Sequence, residues 1–567
     1  MRPTEDVPSV AAGPVPTPTD SADVDDLDDP EAEGPAQRRP RMTGRARETA
    51  GQAGDGADLG GSEDIGRMAR GSGLNVVGAA FSQVSLLLIM LILAVNTSAG
   101  DVGRYSICYA LMTILSLLAL GGVRATLTRF VAMCLADGDA GAVRGTIRLG
   151  MSVAVVGSIV VSLSLAALSG WVADLLHEPR LKDGILLVAL CVMAVTIEGA
   201  ALAATQGWRS QRAFALIGQI LDPGLRLLLT ALAVWSGLGL MGALWALVVS
   251  TWTGAVLSVI VLLRRMHRIE RARPTYDPRP MASFAVVSWG ATLATTGLVW
   301  TDTLILGYLA SAEDVGVYTV ATRLVGLAIF VLNPINSAFV PHVAHLYHLG
   351  DRRGVDLAYG AANRWIIRLS VPAFIMLLVF PKDFLEVFQH GYASAAAVTI
   401  VLAIGQLANA AAGPCGSVLN MTGLVKVSLA DNVAALVVNI SLNLVLIPRF
   451  GVLGAAVAWT TSLILVNGTK YLQVRRMLGI RARGTGMGKT LTAAVPAAAI
   501  AVALNLVLDG APALLLAGTV VLIVYVAILL LRGLEPDDQA LVTRAVGGRF
   551  GRSRHPDAGV RHKASTT

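Results

Sequence analysis

The sequence predicts an all-α polytopic membrane protein of about 14 transmembrane helices, in which two six-helix lobes are related by an internal parallel repeat and two extra C-terminal helices follow. Three observations carry that prediction. A mean hydropathy of +0.64, with 54% hydrophobic and 15% charged residues over 567 positions, lies outside the range of a soluble globular chain. Apolar runs of about 20 residues, each able to cross a hydrocarbon core, recur along most of the chain. Finally, Ser98-Ala-Gly-Asp-Val-Gly-Arg-Tyr105 returns as Ser311-Ala-Glu-Asp-Val-Gly-Val-Tyr318, an offset of 213. Val131-Ala132 with Val343-Ala344, Gly138-Asp139 with Gly350-Asp351, and Gly239-Leu-Met-Gly-Ala243 with Gly451-Val-Leu-Gly-Ala455 keep nearly the same offset, 212 to 213. Duplicated halves in a membrane protein usually bracket a substrate path, which tilts the reading toward a transporter.

Residues 1–70 are rich in Pro, Ala, Gly, Asp and Glu, acidic from Asp23 to Glu33 and basic from Arg38 to Arg47. Such a segment buries too little apolar surface to fold, and no apolar stretch follows a basic start as in a signal peptide, so a disordered cytoplasmic tail is expected. Spans are placed at 74–96, 104–130, 146–170, 183–206, 213–235, 240–263, 282–308, 315–341, 362–381, 394–422, 426–447, 452–469, 490–509 and 513–531. They divide into an N-lobe at 71–263 (spans 1–6), a basic cytoplasmic linker at 264–281, a C-lobe at 282–480 (spans 7–12), spans 13 and 14 within 481–532, and a second cytoplasmic tail at 533–567. With the N-terminus inside, the inner loops hold Arg144, Arg148, Arg209, Arg212, the Arg264–Arg279 cluster, Arg352, Arg353 and Lys470–Arg483, while the outer loops hold mainly Arg180, Lys182, Lys382 and Arg449. This asymmetry places both termini in the cytoplasm of a bacterial-type membrane. Span 1 pairs with span 7, so the halves share one orientation and the axis relating them runs along the membrane normal.

A formal charge of +7 raises the question of nucleic acid. The arginines fall in short gaps and tails rather than on one face, so topology explains them and no nucleic-acid partner is expected. Cys108, Cys134, Cys191 and Cys415 are scattered through or beside apolar runs without CxxC or paired loop spacing, which indicates neither disulfides nor zinc.

Asp302-x-Leu-Ile-Leu-Gly307, Val315-Gly-Val-Tyr318, Ala321-x-Arg323, Pro334 and Pro341 resemble the seventh and eighth spans of polysaccharide exporters in the multidrug/oligosaccharidyl-lipid/polysaccharide (MOP) superfamily. Ile447-Pro-Arg-Phe-Gly-Val-Leu-Gly-Ala-Ala-Val-Ala458 resembles the turn between spans 11 and 12 of the same group. The resemblance covers roughly 74–480. It implies two helical bundles in a V, alternating access without ATP hydrolysis, and translocation of an undecaprenyl-pyrophosphate-linked oligosaccharide (an O-antigen-type flippase activity) from the inner to the outer leaflet. It also implies that spans 13 and 14 form a groove for the lipid tail. Membrane lipids and a polysaccharide polymerase or glycosyltransferase are the implied partners; no cofactor is.

Charges at mid-depth cost a few kcal/mol, so they normally face a cavity or a partner. Those placed deep are Arg124, Glu198, Asp222, Arg226, Asp302 and Arg323. A pyrophosphate passing through needs cations, and the planar, multi-donor arginine head suits phosphate; Arg124, Arg226 and Arg323 are the candidates for the anionic headgroup. Asp222 and Arg226 stand at i and i+4, so they either neutralise each other or touch substrate. Arg129, nearer the inner end of its span, is expected to snorkel to headgroups. Asp302 and Arg323 project by the repeat onto Ile89 and Ala110, so the first lobe lacks both charges. They form either a gating ion pair or a static bridge. Glu198 is either a carrier of a coupling proton or a packing residue, and it joins Asp302 and Asp222 as the coupling or gating set. Gly121, Gly122, Pro334 and Pro341 break helix regularity at matching points of spans 2 and 8, either as hinges or for packing.

Two patterns are decoys. In His342-x-x-His345-x-x-His348 the steps of three smear the rings around a helix with no fourth ligand, and in Gly484-Thr-Gly-Met-Gly-Lys-Thr490 a phosphate loop would require glycine where Arg483 stands. No catalytic constellation or metal site emerges, so the chain is not expected to be an enzyme. A cation-coupled drug antiporter of the same superfamily remains the rival within transport. A membrane glycan polymerase or ligase is the rival from another class, although the outer gaps near 171–182 and 382–393 are short for one.

Overall fold

A computed structural model describes residues 57–329, 332–481, 487–507 and 510–532, nearly all of them helical. The main body begins at Ile65. Residues 57–70, expected as tail, are helical, whereas residues 1–56 and 533–567 lie outside the described residues. Among the described residues, twelve helices are long and apolar enough to cross a membrane. In the first half these are α1 (Gly73–Asn96), α2 (Ala99–Leu120), α4 (Ala140–Ala167), α6 (Leu181–Gln206), a π-helix at Phe214–Leu221 continued by α7 (Asp222–Trp235), and α8 (Gly239–His267). Short helices α3 (Val123–Ala136) and α5 (Ser169–Leu175) extend α2 and α4. The second half holds α9 (Pro278–Leu309), α10 (Ala312–Ala328) with α11 (Leu332–His348), α12 (Arg352–Val379), α13 (Pro381–Glu386), a 3₁₀ turn at His390–Ala395, α14 (Ala396–Ala412), α15 (Cys415–Met421) and α16 (Val425–Met477). Helices α17 (Met487–Asn505) and α18 (Ala511–Leu531) complete the chain.

At 53 residues α16 is too long for one crossing, and it breaks at Gly451, where φ 54° and ψ −132° suit only glycine. Counting α16 as two crossings, and α10 with α11 as one crossing, brings the twelve helices to the fourteen expected spans.

Three of the four recurring motifs are pieces of helix punctuation, Val131-Ala132 and Val343-Ala344 lying inside helices instead. Ser98 caps α2 by accepting from the Asp101 N–H at 3.1 Å, and Ser311 caps α10 by accepting from the Asp314 N–H at 3.1 Å. Gly138 and Gly350 take positive φ (72° and 74°), and the next residues, Asp139 and Asp351, cap α4 and α12. Gly239 and Gly451, with φ 52° and 54°, turn the chain into the sixth and twelfth spans. Side-chain caps of this kind stabilise a helix start by about 1 kcal/mol.

The halves meet where α2 crosses α10. A Cβ on Gly103 would lie 1.7 Å from the Ala312 carbonyl oxygen, and one on Gly316 would lie 2.1 Å from the Ala99 oxygen. Gly103 and Gly316, like Ala99 and Ala312, are 213 apart. The contact is therefore self-complementary, as two-fold symmetry requires. Lipid tails are as apolar as leucine, so backbones that touch through small residues supply the packing that holds spans together. Gln389 Nε2 donates to the Val95 carbonyl at 2.8 Å and His177 lies against Tyr308 at the same end, which is thus shut. Helix α9 leans on α2, α3 and α16. Helices α17 and α18 pack on α12, with Ala493, Ala497 and Ala501 turning one small-residue stripe into that contact.

Candidate functional site

A cavity of about 650 Å³ lies in the other half of the membrane, toward the Arg264–Arg279 linker, between α2, α3 and α6 of the first half and α9 of the second. Gly121 and Gly122 build it. Both take left-handed φ (54° and 76°), ending α2 and starting α3 in a new direction. A Cβ on Gly122 would come within 2.1 Å of the Ala285 oxygen, so only glycine lets α9 approach here. Trp289 Nε1 fastens α9 to the Leu117 carbonyl at 3.1 Å.

Two cations line this space, Arg124 and Arg129, both on α3. The Arg124 guanidinium lies 5.2 Å from the Phe214 ring centroid and that of Arg129 4.6 Å from Phe284. Aromatic faces orient a guanidinium without consuming its N–H donors, and among the described residues neither arginine forms an ion pair. The remaining polar wall is neutral, including Thr113, Ser116, Thr128, Gln206, Ser288, Thr292 and Thr296, and no carboxylate lines it. Such a wall is suited to an anion. Arg129, expected to snorkel to headgroups, is exposed and lines the cavity beside Arg124, its guanidinium against Phe284 of α9.

One turn beyond Thr113 and Thr296, toward the shut end, Tyr109 and Trp300 close the cavity with ring centroids 5.3 Å apart. Arg226 lies over Tyr109 at 5.5 Å and Arg323 over Trp300 at 4.8 Å. This fixes where three of the expected site residues stand. Arg226 is buried, ion-paired to Asp222, and within 3.4 Å of Ser250 Oγ, so it is behind the cavity wall and not on it. Arg323 does not pair with Asp302. Asp302 is 1% exposed and accepts from Tyr318 Oη at 3.1 Å and Asn443 Nδ2 at 2.6 Å, which occupies its two oxygens within the second half. Arg323 Nε is buried with no hydrogen-bond partner, its head turned to Trp300. The expected bridge is therefore absent from this conformation.

Glu198 faces away from the cavity. It is 7% exposed, and a Cβ on Gly254 of α8 would lie 2.8 Å from its Oε2. The π-helix preceding Asp222 gave no hydropathy signal. Pro223 has no N–H, and its ring excludes the carbonyl four residues back, which favours the wider turn. In span 8, α10 ends at Ala328 and α11 begins at Leu332, ahead of Pro334, which stands in the first turn of α11; Pro341 lies inside that helix. His342, His345 and His348 are all exposed. No group of three or more potential metal ligands among His, Cys, Asp and Glu occurs among the described residues. Gly484–Gly486 of the glycine-rich decoy lie outside the described residues.

Duplicated helical halves joined on a pseudo-two-fold crossing, with a basic cavity between them, have the build of a polytopic membrane transporter. A family model described as "Polysaccharide biosynthesis protein" matches residues 68–346, and the MatE model matches 289–445. Together the two matches run from residue 68 to residue 445, the first covering 279 of the 567 residues. Two curated relatives come from Haloferax volcanii. A "probable low-salt glycan biosynthesis flippase Agl15" is 25% identical over 221 residues, 38% of this chain and 46% of the relative. A "probable flippase AglR" is 29% identical over 193 residues, 32% of this chain and 39% of the relative. The similarity thus spans less than half the length of these relatives. Among solved structures, lipid II flippase MurJ in an inward closed conformation aligns with a TM-score of 0.65 at 11% identity, covering 83% of this chain and 98% of that one. An inward-facing multidrug-resistance MATE transporter aligns with a TM-score of 0.59 at 13% identity, covering 70% and 94%. At these identities the likeness is one of fold.

Proposed function

We propose that this protein flips a lipid-linked oligosaccharide, with an undecaprenyl-pyrophosphate type of anionic headgroup, from the inner to the outer leaflet of a cytoplasmic membrane by alternating access. The observation that carries the reading is the cavity wall, which Arg124 and Arg129 line and which no carboxylate lines. A pyrophosphate leaving water needs that replacement for its hydration. The cavity lies toward the arginine-rich end, which the positive-inside rule assigns to the cytoplasm, together with both termini. Substrate therefore enters from the inner leaflet. Tyr109 and Trp300 separate it from the outer side, and separation of α2 from α10 opens that side. In this scheme Arg323 and Asp302 respond to opening, Gly121 and Gly122 allow α3 to tilt, and the product passes to a polymerase or glycosyltransferase. A cation-exporting cavity would place a carboxylate in the wall.

The test is transfer of a labelled undecaprenyl-pyrophosphate oligosaccharide between leaflets of proteoliposomes. Protein-dependent transfer is expected, with Arg124→Ala and Arg129→Ala each lowering it while the protein still inserts and folds. Normal transfer by both variants, or efflux of a soluble cation in place of lipid transfer, would refute the reading.

A further inference from the structure

We propose that a groove between α4 and α8, separate from the central cavity, binds an anionic phospholipid of the leaflet at the linker end. Both helices pack on α6. Between them lies a cavity of about 370 Å³ whose wall changes character with depth. Arg144 and Arg148, from the start of α4, and His267, the last residue of α8, stand at the linker end, while Met151, Val259 and Leu263 stand one to two turns deeper. Positions 144, 148 and 151 on α4, and 259, 263 and 267 on α8, fall at helical spacing, so each set is one stripe and the two face each other. A phospholipid has the same order along the membrane normal, phosphate at the interface and acyl chain beneath it.

The charges are available. Arg144 donates to the backbone carbonyls of Met266, Ile269 and Glu270 at 3.2, 2.9 and 3.1 Å, which fixes its position without neutralising it. Arg148 is exposed and forms no ion pair among the described residues. No carboxylate lines the groove. Basic pockets between spans on the cytoplasmic side suit anionic headgroups. The apolar lower half selects a lipid over a free phosphate, because only an acyl chain gains from covering Met151 and Val259.

The experiment uses the full chain in phosphatidylcholine nanodiscs titrated with phosphatidylglycerol, with retained lipid counted by native mass spectrometry. One phosphatidylglycerol is expected to be retained above the phosphatidylcholine background. Arg148→Gln, at an exposed position, should weaken retention about fivefold. Met151→Trp, which fills the apolar half and leaves the charges in place, should weaken it comparably, with Val259→Phe as an independent filling variant. Wild-type retention by both filling variants would reduce the site to surface charge and overturn the proposal. So would equal retention of phosphatidylcholine, or displacement of the lipid by glycerol 3-phosphate at matched concentration. Arg124→Ala should leave this adduct unchanged, which separates it from any lipid held in the central cavity.

Discussion

Replacing Gly103 with alanine should drive the two halves apart at the shut end, and the size of the effect follows from the crossing itself. The new Cβ would lie 1.7 Å from the Ala312 oxygen, where ordinary contact begins at 3.4 Å. The α2 and α10 backbones must therefore separate locally by the difference, 3.4 − 1.7 = 1.7 Å. For Gly316→Ala, with the Ala99 oxygen at 2.1 Å, the same arithmetic gives 1.3 Å. The obstacle is backbone in both cases, so no side chain can rotate out of the way. Overpacking a tight contact costs about 1–3 kcal/mol, equivalent to about five- to a hundredfold in the ratio of shut to open forms.

Spin labels at Lys182→Cys and Lys382→Cys, both exposed and on opposite halves at the shut end, would report that ratio as a distance distribution. Both alanine variants are expected to move population to longer distances, Gly103→Ala more than Gly316→Ala. The double variant should shift it by less than the sum, because each substitution relieves the same crossing. Gly326→Ala on the same α10, where a Cβ meets nothing within 4 Å, is the control and should leave the distribution in place. An unchanged distribution in both Gly103→Ala and Gly316→Ala would show that this crossing does not hold the outer side shut.

Three further outcomes are expected. Arg124→Lys and Arg129→Lys should bind the headgroup more weakly than wild type but better than the alanine variants, which lose about 1.5–3 kcal/mol of charge-assisted hydrogen bonding each; titration of a pyrophosphate lipid analogue checks the order. Asp222→Ala should lower thermal stability by about 3–5 kcal/mol because it leaves Arg226 charged and buried, whereas Asp222→Asn with Arg226→Gln should cost less, as read by melting in detergent. Gly451→Ala should cost about 1–3 kcal/mol, since φ 54° with ψ −132° is strained for any residue with a Cβ, and a lowered melting temperature would register it.

Hydropathy and self-comparison locate the long helices, because a bilayer demands long apolar helices and leaves little alternative, although span 9 starts ten residues after α12 does at Arg352 and span 12 stops eight short of Met477. The pauses inside spans were harder to read. Gly121-Gly122 marked its own break, but in span 8 α11 begins ahead of Pro334, since a proline tolerates the first turn of a helix and forbids only the turn before it. The site was partly legible. Arg124 stands on the cavity wall at the depth its position in the sequence suggests, whereas nothing local to Arg129 predicts that Phe284, 155 positions later, supplies a ring against its guanidinium (284 − 129). For Arg226 the partner at i−4 is visible in the sequence, but its burial behind Tyr109 depends on how α7 and α8 meet.

The duplication itself separates scaffold from chemistry. Positions that match across the repeat, Ser98 with Ser311, Asp139 with Asp351, Gly103 with Gly316 and Gly239 with Gly451, begin helices, turn the chain or seat the crossing. The charges placed deep in the spans fall at positions that do not match. Arg124 projects by 213 onto Ser337, Arg129, two residues before Val131, projects by the local offset of 212 onto Pro341, and Asp302 and Arg323 project back onto Ile89 and Ala110. A two-fold scaffold can rock symmetrically about its crossing, but a substrate with one headgroup and one tail has no two-fold symmetry to match. Asymmetric charge on a symmetric frame is what such a substrate requires, so exchanging Arg124 with its repeat position (Arg124→Ser with Ser337→Arg) should preserve folding and abolish transfer. Transfer retained by that double variant would mean that the cavity accepts the headgroup from either half and that the asymmetry has no bearing on substrate.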